Sequence, residues 1–174
     1  MEDDFKSGNN DVRPDMRTYS TFINAWSKSN MTDSPSEAAK ILKKMIDLYS
    51  KGGLKEEPSI VTYNSVMNAY ATKGDVEGAN GILEMMKSDS SNVKPDMQAY
   101  TTLIKALAKS NRKEARKEVE KILQEINDLH KSGILKEGPS TATYSSMIEC
   151  VQKFEGTKDR LRELKSLQKS TKFR

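Results

Sequence analysis

Four tyrosines, Tyr19, Tyr63, Tyr100 and Tyr144, each begin a segment with polar residues one, five and nine positions later. These are Ser20, Asn24 and Lys28; Asn64, Asn68 and Thr72; Thr101, Lys105 and Lys109; and Ser145, Glu149 and Lys153. Steps of four keep three side chains on one side of an α-helix. Short hydroxyls and amides can meet base edges while ammonium groups meet phosphates, so the set suits a single-stranded nucleic acid read one base per helical unit. Any solvated helix face is polar too. The residue after the tyrosine, however, is always Ser, Asn or Thr, mediocre helix formers where an idle surface would more often carry Glu or Lys. Lysine closes the set in three units, and in the other Thr72 is followed by Lys73.

These positions recur because the sequence itself recurs. Each tyrosine follows a proline by five residues, and the prolines Pro14, Pro58, Pro95 and Pro139 stand 44, 37 and 44 positions apart. The stretch KPDMQAYTTLIKALAKSN at 94–111 therefore echoes RPDMRTYSTFINAWSKSN at 13–30 across one long and one short period. Over the same offset Leu48 falls on Leu129, Gly52 on Gly133 and LKEEP on LKEGP. The first and third units are long forms of one module and the second is a short form. The extra length is expected in the turn between the two helices and in the tail after the second.

Each unit reads as two helices. In the first, apolar residues fall at the tyrosine and three, four and seven positions on, as in Tyr19, Phe22, Ile23 and Trp26 or Tyr63, Val66, Met67 and Tyr70, which is one helix face. A small residue stands six after each tyrosine, Ala25, Ala69, Ala106 and Cys150, so that a neighbouring helix can approach. For the second helix, Ser34-Pro35-Ser36-Glu37 predicts a serine cap with a capping box, and Asp75 and Thr157 are further candidate caps. Gly52-Gly53 and Gly133 predict helix stops. Gly78 and Gly81 each cost about 1 kcal/mol against alanine, which predicts that the short unit's second helix is the least rigid.

A lone helical hairpin cannot bury its apolar faces, so the units must stack. The expected fold is all-α, a right-handed α-α superhelix (α-solenoid) of four helix-turn-helix repeats at 14–57, 58–94, 95–138 and 139–170. Residues 1–13 read as the tail of a missing or partial preceding repeat, because NNDVRPD resembles SSNVKPD at 90–96, and 171–174 as a basic end. The open ends of such a stack are places for a protein partner. With 31% charged and 35% hydrophobic residues over 174 positions, no membrane-spanning run and a net charge of +4, the composition permits a polyanionic partner without demanding one. The acidic, polar start is neither a signal nor a transit peptide.

The segment VTYNSVMNAY, the VKPD junction and two helices per unit resemble the pentatricopeptide repeat family, over roughly residues 12–170. Tetratricopeptide repeats would want a Leu-Gly pair in the first helix, and Ile23, Met67, Ile104 and Ile148 stand where the glycine belongs. The 44-residue units are an expanded variant of the family's pattern. The resemblance implies that the residue after the tyrosine and the residue after the junction proline at the unit's end read one base together. Asn64 with Asp96 then looks uracil-preferring, and Thr101 with Ser140 a weaker purine reader with adenine as the candidate. Ser20 with Ser59 lies outside the well-behaved combinations. Ser145 has no downstream partner, and Asp15 is the second half of an incomplete pair. Arg17, Val61, Gln98 and Ala142 match base-sandwiching positions, with Ala142 small for that role. Lys28, Lys73, Lys105, Lys109 and Lys153 are the phosphate or backbone contacts.

Two or three readable bases make a weak or auxiliary binder, weakened further by salt. The family's setting implies a mitochondrion or chloroplast and a role in RNA processing, stability or translation. An alternative is a protein-binding solenoid subunit within a larger assembly such as an organellar ribosome, which Glu149 and the modest charge favour. Enzyme chemistry finds no support in the residues. His130, the one histidine, aligns with Tyr49 and reads as a surface or packing residue, and Cys150 as a packing thiol. Asp3-Asp4 and Glu56-Glu57 have no further ligands around them, and no phosphate-binding glycine loop or metal-ligand spacing occurs, so neither catalytic residues nor a cofactor is expected.

Overall fold

The computed structural model describes residues 14–88, 91–110, 112–153 and 158–171. Expectations placed on 1–13, on Thr157 as a cap and on 172–174 lie outside them. The described residues form eight α-helices and no strand: α1 Met16–Lys28, α2 Ser34–Ser50, α3 Ile60–Lys73, α4 Val76–Lys87, α5 Met97–Lys109, α6 Ala115–Lys131, α7 Thr141–Gln152 and α8 Lys158–Thr171. They divide into two compact units that part inside α3, one up to Ala69 and one from Tyr70.

In the first unit α1 packs on α2. The tyrosine face delivers Tyr19 and Ile23 to the interior, and α2 answers with Ala38, Leu42 and Met45, all buried. Asp15 starts α1, its Oδ1 accepting the Thr18 N–H at 2.7 Å. The expected capping box at Ser34 is not formed. Asp33 holds the cap position without a side-chain bond, Ser34 is buried and donates its hydroxyl to the Ser29 carbonyl at 3.3 Å, and Glu37 pairs with Lys40 at 2.6 Å. Proline opens this helix as expected, since its missing N–H costs nothing in the first turn, but the serine serves the turn before it. At the far end Gly52 adopts φ +72°, and the N–H groups of Gly53 and Leu54 both return to the Leu48 carbonyl, burying Leu54.

In the second unit the same stop recurs at Gly133, φ +75°, with Ile134 and Leu135 returning to the Leu129 carbonyl and Leu135 buried. These left-handed glycines satisfy carbonyls that a helix end leaves open. Asp75 caps α4 as expected, accepting the Gly78 N–H at 2.8 Å. The capping box appears instead at α7, where Ser140 accepts the Thr143 N–H and Thr143 Oγ1 accepts the Ser140 N–H. Tyr100, Ile104 and Leu107 of α5 and Tyr144, Met147 and Val151 of α7 form the core with Leu83 and Met86 of α4 and Ile126 of α6. Outside it, Lys87 of α4 bonds Glu125 of α6 at 2.8 Å, and Arg160 Nε of α8 donates to Glu120 of α6 at 2.9 Å, which ties the second helices together.

The extra length of the long units lies partly in the expected turn between the helices, but otherwise in the second helix rather than in the tail after it. The turn at 29–33 is longer than the turn at 74–75, and α2 and α6 run 17 residues against 12 in α4. The tails 51–59 and 88–96 are equally long. The expansion is therefore a longer turn plus more than one added turn of outer helix, and the first helices keep nearly one length.

Candidate nucleic-acid interface

Within the second unit α5 and α7 lie side by side and run in the same direction. Thr101 near the start of α5 touches Thr143 near the start of α7, Oγ1 to Oγ1 2.8 Å. At the other end Lys153, the cap residue of α7, donates Nζ to the Ala108 carbonyl of α5. Corresponding positions of α5 and α7 thus stand beside each other. Lys105 and Lys109 of α5, and Ser145, Glu149 and Lys153 of the next repeat, are all exposed. In the first unit Asn24, Lys28 and Asn68 are exposed and Ser20 half-buried; Thr72 and Lys73, at the end of α3 and in the second unit, are exposed.

The row directly after the tyrosine differs from a uniformly exposed stripe. Thr101 is only 6% exposed and Asn64 5%. For Thr101 the cause is visible: it occupies the seam where α7 lies against α5, and its hydroxyl donates to the Met97 carbonyl at 2.8 Å. Ser145 on α7 is exposed, bonding the Thr141 carbonyl at 2.9 Å and accepting from Gln168 at 2.6 Å. Such back-bonds to the preceding turn explain how small hydroxyl residues persist inside helices.

Three of the residues after the junction prolines, Asp15, Asp96 and Ser140, are helix caps. Asp15 bonds Thr18, Asp96 accepts the Ala99 N–H at 2.9 Å, and Ser140 accepts the Thr143 N–H at 3.2 Å. Ser59 Oγ stands 3.2 Å from Thr62 Oγ1 in the same register. Asp and Ser are preferred cap types for an acceptor facing the first-turn amides, so their recurrence has a structural cause that the family pattern alone did not reveal. Pro followed by Asp or Ser before a helical period was the available signal. The Thr18 hydroxyl, then the Thr18 amide, hold the Asp15 carboxyl below its ordinary range. The sandwich positions Arg17, Val61, Gln98 and Ala142 are all exposed, Val61 at 69%, an unusual place for a bare valine.

Two of the lysines also serve the helix ends. Lys153 bonds Ala108, and Lys109 Nζ reaches the Thr72 carbonyl at 3.5 Å, each meeting the negative end of a preceding first helix. Lys105 extends from mid-helix and is exposed. Among the described residues no group of His, Cys, Asp and Glu could hold a metal ion, and no helix is long and apolar enough to cross a membrane. His130 is exposed, its Nδ1 3.1 Å from the Leu135 carbonyl. Cys150 is buried and burial pushes its thiol up to about 11.

Paired helices repeating one capped, tyrosine-anchored pattern define a helical-hairpin repeat protein. The PPR repeat family matches residues 58–109. Arabidopsis thaliana pentatricopeptide repeat-containing proteins align with the chain, among them the following three. One is 33% identical over 79% of this chain and 21% of its own length. A chloroplastic one is 31% identical over 52% and 16%, and a mitochondrial one 26% over 59% and 16%. Among solved structures, the pentatricopeptide repeat protein PPR10 in complex with an 18-nt psaJ RNA element superposes with TM-score 0.66 at 25% identity, covering 98% of this chain and 22% of that one. PPR10 from maize superposes at 0.61 and 21% identity, over 97% and 22%. The chain belongs to the pentatricopeptide repeat family, and the α-solenoid fold class expected from its repeats agrees with these matches. It spans about a fifth of the length of the proteins it matches.

Proposed function

We propose that this repeat segment binds single-stranded RNA along its first-helix face, as a non-enzymatic holder of a short RNA stretch. The observation that supports it best is the parallel seam of α5 and α7, which sets the hydroxyl readers Thr101 and Ser140 in one network and leaves Lys105, Lys109 and Lys153 exposed beside them. Bases can approach the hydroxyl end while the ammonium groups hold phosphates. The RNA in the PPR10 complex supports the same reading. In this proposal Thr101 with Ser140 takes a purine, Ser20 with Ser59 and Ser145 contribute weakly, and Arg17, Val61, Gln98 and Ala142 flank the bases. The chloroplastic and mitochondrial relatives support an organellar setting in RNA processing, stability or translation.

Titration of a labelled U-rich single strand and an equal-length duplex, at low and moderate salt, tests it. Saturable, salt-sensitive binding of the single strand supports the proposal, and no binding at low salt refutes it. One observation favours a second, protein-binding reading. Phe22 on α1 is 52% exposed and Ala25 is exposed, whereas their counterparts Val66, Leu103 and Met147, and Ala69, Ala106 and Cys150, are buried. The approach of a neighbouring helix expected at Ala25 is therefore not seen there.

A further inference from the structure

Thr143, the residue before the fourth tyrosine, carries no part of the base-reading pattern, yet it is fully buried and its hydroxyl joins the two readers of the third repeat. Thr143 Oγ1 lies 2.8 Å from Thr101 Oγ1 and 3.0 Å from Ser140 Oγ, and it accepts the Ser140 N–H at 3.2 Å. A hydroxyl has one proton and two lone pairs, and that arithmetic orients the whole chain. Thr101 gives its proton to the Met97 carbonyl at 2.8 Å. The Thr143 proton has two acceptors in reach, Thr101 Oγ1 at 2.8 Å and the Met97 sulfur at 3.8 Å. The nearer oxygen is the stronger acceptor, so Thr143 donates to Thr101. Thr143 then has no proton for Ser140, so Ser140 donates to Thr143 while accepting the Thr143 N–H. The protons run from Ser140 to Thr143 to Thr101 to Met97. Both readers end with one free lone pair and no proton to offer outward.

We propose that Thr143 is a positioning residue that fixes the third-repeat slot as acceptor-only, so that it favours bases bearing an exocyclic amine and disfavours uridine. Adenine, cytosine and guanine each present an amine donor, whereas uracil flanks its one N–H with two carbonyl oxygens that face the readers' lone pairs unfavourably. The column before the tyrosine reads Thr18, Thr62, Ala99 and Thr143, so a hydroxyl there is not a requirement of the helix. In the first unit Ser59 and Thr62, 3.2 Å apart, repeat the outer link. This inference rests on the RNA-binding reading and replaces its purine slot by one for any amine-bearing base, cytosine included.

The test uses the full chain with U-rich 12-mers carrying a central A, C, G or U, followed by fluorescence anisotropy at low salt. Wild type is expected to bind the amine-bearing RNAs about five-fold more tightly than the all-U strand. Thr143→Val removes the donor at nearly equal volume and frees the Ser140 proton, so the preference should vanish or invert while all-U binding is kept. Thr143→Ser should restore it. Circular dichroism melts accompany each variant, and Thr143→Ala, which removes the same hydroxyl with less bulk, serves if Thr143→Val is unfolded. An unchanged base preference in a folded valine variant that still binds RNA overturns the relay alone. A wild-type chain that binds none of the strands overturns both the relay and the RNA-binding reading.

Discussion

The ring of Tyr70 occupies the space that a Cβ at Gly78 would need. The contact reaches the ring's root atom as well as its edge, so a side chain at Gly78 cannot be admitted by turning a flexible tip. Gly81, one turn further along α4, has nothing within 4 Å of its missing Cβ. The two glycines look alike in sequence and both lower helix propensity, yet their alanine variants should act in opposite directions. Gly81→Ala is expected to stabilise by roughly 0.5–1 kcal/mol. Gly78→Ala gains the same propensity but meets an overpacking cost of about 1–3 kcal/mol, so it should be neutral to destabilising. Urea denaturation of both variants checks this, and equal stabilisation by the two would show that Tyr70 yields freely.

The lysines divide by what their ammonium groups already hold. Lys105 is exposed in mid-helix, while Lys153 bonds the Ala108 carbonyl. Lys105→Gln should reduce the slope of log affinity against log salt for single-stranded RNA by about 0.7 and change stability by less than about 0.5 kcal/mol. Lys153→Gln should lower stability by about 0.3–1 kcal/mol through the lost helix-end interaction. Salt titrations and denaturant melts of the two variants separate an RNA contact from a structural one. A Lys105 variant with an unaltered salt slope would remove that residue from the interface.

The helices themselves were legible because tyrosine-anchored periodicity repeats four times, and glycine stops repeat with it. What escaped the sequence depends on neighbours. Thr101 looks like any polar face residue until α7 covers it, and Ala25 looks like a contact residue although nothing in the described structure buries it. Ser34 has the type and spacing of a cap, but Asp33 stands at the helix start and Ser34 turns to Ser29. Of the extra residues of the long units, those in the turn were located from the sequence but those in the outer helix were not, since an amphipathic helix lengthens without disturbing its own period. The candidate readers were found by pattern, whereas their double duty as caps, and the part of Thr143, required distances.

Tyr100 gives the fold a dependence on alkaline pH. Burial, then the bond of its hydroxyl to Glu125 at 2.9 Å, raises its ionisation well above the ordinary tyrosine value. Lys87 stands over the same ring and bonds the same carboxylate, and its titration is also raised, burial's opposing effect being outweighed by Glu125 and Glu84. A group raised in the folded state stabilises fully below its unfolded value and loses that contribution as pH climbs past it. Stability should therefore begin to fall near pH 9, where the buried Cys150 thiol, pushed up to about 11, first contributes, and fall more steeply above pH 10. Tyr100→Phe should cost about 1 kcal/mol at pH 8 and flatten the alkaline fall, as urea melts at pH 8 and pH 10.5 would show. A fall of undiminished steepness in the phenylalanine variant would assign the effect to other groups.

Cys150 offers a probe of how α7 opens. Its side chain is fully buried in the column that alanine fills at Ala69 and Ala106, and burial pushes the thiol up to about 11. At pH 8 only about 0.1% of such a thiol is ionised, and the thiolate is the reactive form. Aromatic disulfide reagents should therefore label the native chain slowly, at a rate set by opening of α7 rather than by reagent chemistry, and label the urea-unfolded chain at once. The native rate should rise with urea below the main transition if the fourth repeat opens before the rest, as helical repeats linked only to neighbours allow. Fast labelling in buffer would mean that the α5–α7 seam is open in solution, and the hydroxyl network at Thr143 would then lose the enclosure on which its orientation depends.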